Sequence, residues 1–255
     1  MQEHNQKRVF RTSVIVKAAL LATVSIVLTR FFSLMLPLGG LPALRVGFGS
    51  VPLIMAGMMF GPVIGGITGV VADFVGYMIN PMGGTFFPGF TVTAALYGIL
   101  AGLLFKTFKI HKLKINFNII NAIVMILFGL GFFWLMISTK VLIFEGGKAT
   151  FNDTSALPMI ILMVLVTALF VAIPFAMSTK FKDVSRKVGF DKVTFAVTLT
   201  YVINALGLNT LWLSMMFDQG FIAFLPGRVV AAVVTIPVYT IIIYTLGRFI
   251  DLIDQ

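Results

Sequence analysis

The chain has 255 residues, of which 59% are hydrophobic and 11% charged, with a formal net charge of +10. So few charged groups cannot hydrate the surface of a soluble globule, which leaves an integral membrane protein as the class. The basic excess lies mostly in short loops between apolar runs, where it sets orientation and meets anionic lipid rather than nucleic acid; the absence of cysteine excludes disulfides and thiolate chemistry.

Apolar run length predicts an all-α polytopic membrane protein with eight spans, near residues 14–36, 43–60, 62–79, 86–105, 117–139, 156–178, 194–217 and 221–246. These form a single transmembrane domain, multi-pass in a cell membrane. Lys7, Arg8, Arg11 and Lys17 precede the first span as they would a signal peptide, but the apolar run is too long and no small-residue cleavage signal follows, so the span is expected to persist. Spans two and three are separated only by Phe60-Gly61-Pro62, and a re-entrant arrangement there is the alternative.

Cations fix the expected orientation. Four lie at 7–17, four at 106–114 (Lys106, Lys109, Lys112, Lys114), five at 180–192 (Lys180, Lys182, Arg186, Lys187, Lys192) and one at Arg248, which makes fourteen on one side. Arg30, Arg45, Lys140, Lys148 and Arg228 fall on the other. With an even number of spans, the positive-inside rule puts both termini in the cytoplasm.

In the first span Ala18, Ala22, Ser25 and Thr29 fall within about 60° of one helical face, with Arg30 roughly 110° away. Such a small-residue face admits close approach of another helix, either a partner's or one from the same bundle. An arginine at bilayer depth is unfavourable by roughly 2.5–3.5 kcal/mol, so Arg30, Arg45 and Arg228 gathered near one membrane face suggest an anion-binding site. Asp73 is the one acid inside a span, one turn before Tyr77; it is read as an ion partner of Arg30 or Arg228, a ligand contact, or a proton carrier. The 82–90 loop, including Gly83, Phe86 and Phe87, is Gly-rich, uncharged and aromatic: an apolar binding wall, a lid, or an interfacial aromatic belt. Spans five and six are apolar all round, as peripheral lipid-facing helices would be.

In span seven, Asn209 offers a donor and an acceptor to the edge of a heterocycle such as a pterin, and Trp212 one turn on offers a stacking face. The plainer alternative assigns Trp212 to the aromatic belt and Asn209 to a neighbouring helix. His4 and His111 lie outside the spans and no carboxylate pair or metal-ligand spacing occurs, which argues against a membrane enzyme. One intramembrane acid and no internal repeat argue against a stand-alone secondary transporter.

Five segments in order carry a resemblance: Leu44-Arg45-Val46-Gly47-Phe48-Gly49 with Pro52; Gly57-Met58-Met59-Phe60-Gly61-Pro62; Ala72-Asp73-Phe74-Val75-Gly76-Tyr77; Phe87-Pro88-Gly89-Phe90-Thr91; and Leu208-Asn209-Thr210-Leu211-Trp212-Leu213-Ser214 followed by Leu225-Pro226-Gly227-Arg228. The chain resembles the folate-specific substrate-binding subunits (S components) of energy-coupling factor vitamin transporters. The resemblance covers 12–105 and 194–250. It implies a six-helix S-component bundle with an inserted helix pair at 115–192, whose outer loop from Lys140 to Asp153 is new to the family.

It further implies a subunit that captures folate outside and delivers it inward on a complex of a transmembrane scaffold and two ATPase subunits. The partners implied are folate or a related vitamin, those subunits and the lipid bilayer. No cofactor, metal or catalytic residue is implied, and no nucleic acid. No G-x-x-x-x-G-K-S/T loop occurs, since Gly146-Gly147-Lys148 lacks the earlier glycine, so energy must come from another chain. Carried onto this sequence, Arg30, Arg45 and Arg228 are candidates for the glutamate tail; Asp73, Asn209 and Trp212 for the pterin; Phe48, Tyr77, Phe86 and Phe87 for the walls. Ala18 and Ala22, with Ser25, are candidates for scaffold docking. An S component for a different vitamin is the nearest alternative.

Overall fold

The computed structural model describes residues 11–38, 41–82, 84–145, 148–151, 154–181 and 189–249. His4, Lys7, Arg8, Gly83, Gly146, Gly147, Asp153, Lys182, Arg186 and Lys187 lie outside the described residues.

The first long helix, α1, spans Thr12–Arg30 and ends on a cation, which complements the negative end of its dipole. Beyond it the expectation of a continuous span to residue 36, and of a second span from 43, is corrected. Strands β1 (Leu34–Leu38) and β2 (Leu41–Val46) pair antiparallel, with Leu34 opposite Val46 and Met35 opposite Arg45. Pro37, Gly39, Gly40 and Pro42 are crowded into six residues of that sequence, and such residues favour a turn over a helix. Helix α2 (Ser50–Phe60) is therefore short, and every residue from Val51 to Met59 is buried.

At Gly61, φ of 92° reverses the chain into α3 (Pro62–Ile79), a backbone setting natural to glycine. Gly61 lies beside Lys106, so α2 reaches the end of the bundle opposite the hairpin rather than turning back within it. Helix α4 (Pro88–Thr107) closes with a π turn at Leu103–Thr107. The three helices α2, α3 and α4 meet backbone to backbone. A Cβ placed on Gly65 would stand 2.6 Å from Gly57 Cα and 2.8 Å from the Gly98 carbonyl oxygen, and one on Gly98 would stand 2.2 Å from the Gly65 oxygen. In lipid, where no hydrophobic effect drives helices together, such close approach is a main source of association energy.

Helices α5 (Phe117–Ser138) and α6 (Leu157–Lys180) follow, joined by β3 (Leu142–Glu145), β4 (Lys148–Phe151) and β5 (Thr154–Ser155) in one antiparallel sheet. The chain ends in α7 (Phe190–Phe217), interrupted by a π segment at Val202–Leu208, and α8 (Phe221–Phe249). Among the described residues seven helices are long and apolar enough to cross a membrane, and α2 is the shorter eighth. The core sits between α2, the first half of α7 and α8. By contrast α6 turns Leu157, Ile161, Leu162, Val164 and Leu165 outward, as a peripheral helix does.

The small-residue face of α1 packs inside this bundle. Ala18, Ala22 and Ser25 are buried, and the Ser25 hydroxyl donates to the Gly49 carbonyl at 2.6 Å, so the neighbour admitted is the chain's own α2 entry. Thr29 meets the same glycine. A tryptophan at Ala22 would overfill that contact at a cost of about 1–3 kcal/mol or more. Ala22→Trp is thus expected to lower the thermal unfolding temperature in detergent, whereas Val16→Trp, on a side chain 61% exposed, leaves it unchanged. Equal melting of both variants would place the small face outside the core.

Candidate ligand-binding site

All ten candidate ligand residues lie toward the hairpin end of the bundle. Arg30 projects from the last turn of α1 across α3, where a Cβ at Gly76 would come within 3.0 Å of its Nε. Its Nη2 donates to Asp73 Oδ1 and to the Asp73 carbonyl, both at 3.2 Å, and its Nη1 to the Asn80 carbonyl at 3.3 Å. Asn80 returns a bond from Nδ2 to the Arg30 carbonyl. The ion pair expected of Asp73 is made with Arg30, with side chains only 5% and 17% exposed. Arg228 takes no part in it.

The pair reaches further than two residues. Asp73 Oδ2 accepts from the Thr91 hydroxyl at 2.7 Å, on the first turn of α4. Two residues on, Thr93 Oγ1 accepts from the Trp212 indole N–H at 3.0 Å. Thr91 and Thr93 thus join Asp73 of α3 to Trp212 of α7 through one helix end. Sequence reasoning quoted Thr91 within a motif without giving it a role and passed over Thr93; their signal was a pair of hydroxyls two apart in an otherwise apolar helix start.

Around this axis the aromatic candidates fall into three places. Phe86 sits 5.1 Å from Tyr77 and 6.0 Å from Phe74, folding the 84–87 loop back onto α3, and the Tyr77 hydroxyl donates to the Gly84 carbonyl at 3.4 Å. Phe87 lies 5.9 Å from Trp212. Phe48 instead packs 6.1 Å from Tyr239 of α8, whose hydroxyl donates to the Gly47 carbonyl and ties the end of the hairpin to that helix. Tyr239 was not picked out from the sequence.

Among the cations, Arg45 on β2 keeps an exposed side chain. Partial desolvation, and then the like charge of Arg30, lower its pKa, while the Asp73 carboxylate offsets part of this. The Arg45 guanidinium still stays charged at neutral pH. Arg228 is buried at the start of α8, and its Nη1 donates to the Ala205 carbonyl at 2.8 Å.

Asn209 and Trp212 are one turn apart on α7, and they differ in a useful way. Trp212 is held by Thr93, whereas the side-chain oxygen of Asn209 is buried with no hydrogen-bond partner. The indole N–H thus bonds within the bundle, and the amide oxygen makes no hydrogen bond to a neighbouring helix. A buried acceptor left in that state costs roughly 1–3 kcal/mol, which an N–H from a ligand would recover. The cavity between α5, α6 and α8, ≈180 Å³ and lined by Met125, Phe132, Met163, Phe170 and Pro226 among others, has neither a charged group nor any of the ten candidates in its lining.

A model of the family described as "ECF transporter, substrate-specific component" matches residues 13–166. The folate transporter FolT of Clostridium novyi (strain NT) is 35% identical over 129 residues, which span 51% of this chain and 72% of that one. A crystal structure of FolT bound with folic acid aligns with a TM-score of 0.54 at 22% identity, covering 93% of this chain and 95% of that chain; at this identity the likeness is one of fold.

Because breaking a buried pair strands the other charge, at a cost of about 3–5 kcal/mol, Arg30→Met is expected to destabilise the fold sharply and the double variant Arg30→Met/Asp73→Leu to regain a good part of the loss. Thermal unfolding of the two singles and the double checks this. A double variant no more stable than Arg30→Met would show that the two charges are not coupled.

Proposed function

This chain belongs to the ECF transporter substrate-specific components, and on that premise we propose that it captures folate at the hairpin end of the bundle and delivers it inward. The observation that carries this reading is the buried, unpartnered Asn209 oxygen one turn from the Trp212 and Phe87 rings. A pterin is flat, fits an aromatic slot and carries N–H donors on its edge for that oxygen. The glutamate tail carries two carboxylates, and Arg45, exposed on the hairpin, meets them with charge-assisted bonds; Arg30 adds its field while holding Asp73. Phe48, Tyr77 and Phe86 supply apolar walls between the two ends.

The rest of the transport cycle falls to partners. With no phosphate-binding loop in the sequence, the energy is taken to come from two ATPase subunits acting through a transmembrane scaffold. The scaffold's contact on α1 then lies outside the buried Ala18, Ala22 and Ser25. By the positive-inside rule both termini are cytoplasmic and the hairpin end of the bundle faces outward. The 115–192 helix pair is a peripheral addition to the six-helix core.

The test is purification of the chain alone, identification of any co-purifying small molecule by mass spectrometry, and titration with folate and with 6-hydroxymethylpterin, which has no glutamate. Folate is expected to bind; Trp212→Ala is expected to weaken both ligands by roughly tenfold, and Arg45→Ala to weaken folate alone by a similar factor. A different vitamin co-purifying, with no binding of folate, would move the chain to another substrate.

A further inference from the structure

Between the buried first half of α7 and its ligand-facing end lies the π segment Val202–Leu208. Within it the Asn209 N–H donates to the Asn204 carbonyl, five residues back instead of four. The Ala205 carbonyl accepts from two side chains: the Arg228 guanidinium at 2.8 Å and the Thr210 hydroxyl at 3.3 Å, both bonds buried. Asn204 Oδ1, within the π segment, and Asn209 Oδ1, just past its end, are both buried with no hydrogen-bond partner.

A π bulge admits one extra residue into a helix, so it rotates everything beyond it by about 100° relative to what precedes it. Residues 193–201 are locked in the core, so the azimuth of Asn209 and Trp212 depends on whether the bulge persists. Bulges persist where side chains satisfy the displaced backbone groups, and here those side chains are Arg228 and Thr210.

We propose that Arg228 is a positioning residue: by holding the Ala205 carbonyl it maintains the π segment that aims Asn209 and Trp212 at the pterin, and it does not read the glutamate tail. This rests on the folate reading above and replaces the tail role drawn for Arg228 from the resemblance. Arg228→Lys, which keeps one donor near the carbonyl, retains part of the function; Arg228→Met keeps the length and loses it. Thr210→Val removes the second donor with little change of shape and acts in the same direction, more weakly.

The experiment uses the full chain in a Trp134→Phe background, which leaves Trp212 as the one indole. Trp134 is on α5 and 68% exposed, and it is none of the candidate ligand residues. Arg228→Met and Thr210→Val are titrated with folate and with 6-hydroxymethylpterin, and Trp212 emission and acrylamide quenching are recorded without ligand. The expected result is an equal loss for both ligands, roughly tenfold for Arg228→Met, with a shifted, more quenchable Trp212 in the ligand-free protein. A loss confined to folate, or an unshifted Trp212 in either folded variant, overturns the proposal. Should wild type bind neither ligand, the folate reading fails, while the ligand-free emission still decides whether Arg228 sets the position of Trp212.

Discussion

A guanidinium and a carboxylate facing each other at bilayer depth set the frame of the hairpin end. Neither Arg30 nor Asp73 can be exposed to hydrocarbon without a large cost, and neither can be left alone, so α1 and α3 are held in one register. Thr91 passes that constraint to α4 and Thr93 passes it on to α7 through the Trp212 indole. Four helices are therefore joined through side chains that include the candidate ligand residues Arg30, Asp73 and Trp212. Binding energy spent on the ligand acts on a frame that is already coupled across the bundle.

The opposite end is held by different physics. Between α2, α3 and α4 there are no charges to pair, and the contacts run through Gly57, Gly65 and Gly98, where backbones touch. Close packing of this kind resists deformation, because any added atom must displace a main chain. The bundle is thus rigid near the loop side and polar, with a gap in its hydrogen bonding, at the hairpin side. Around that core α5 and α6 add mostly outward apolar surface, together with an uncharged cavity against α8.

Much of this was legible from residue patterns, and the exceptions have reasons. Apolar run length locates the seven long helices because each is satisfied internally by its own backbone bonds. It fails between 31 and 49, where the residues are as apolar as a span, and only Pro37, Gly39, Gly40 and Pro42 mark the hairpin. The stripe at Ala18, Ala22 and Ser25 announced close approach, yet spacing along one helix says nothing about whose helix approaches. For Asp73 the sequence offered two arginines, and only three-dimensional placement separates Arg30 from Arg228. The π segment was invisible, since its cause lies in Arg228, more than twenty residues further on.

One feature of α2 bears on transport itself. Its eleven residues rise only about 16 Å, half of a hydrocarbon core of about 30 Å, and the hairpin occupies the remaining depth. A two-stranded ribbon leaves edge N–H and C=O groups that lipid cannot satisfy, so the ribbon must be lined by protein or by water. Where the lining is water, the ribbon walls a hydrated pocket at that end of the bundle, beside Arg45 and the Arg30–Asp73 pair. A charged group that reaches Arg45 through such a pocket has passed part of the depth of the bundle while still hydrated, and the dielectric barrier beyond it is correspondingly thin.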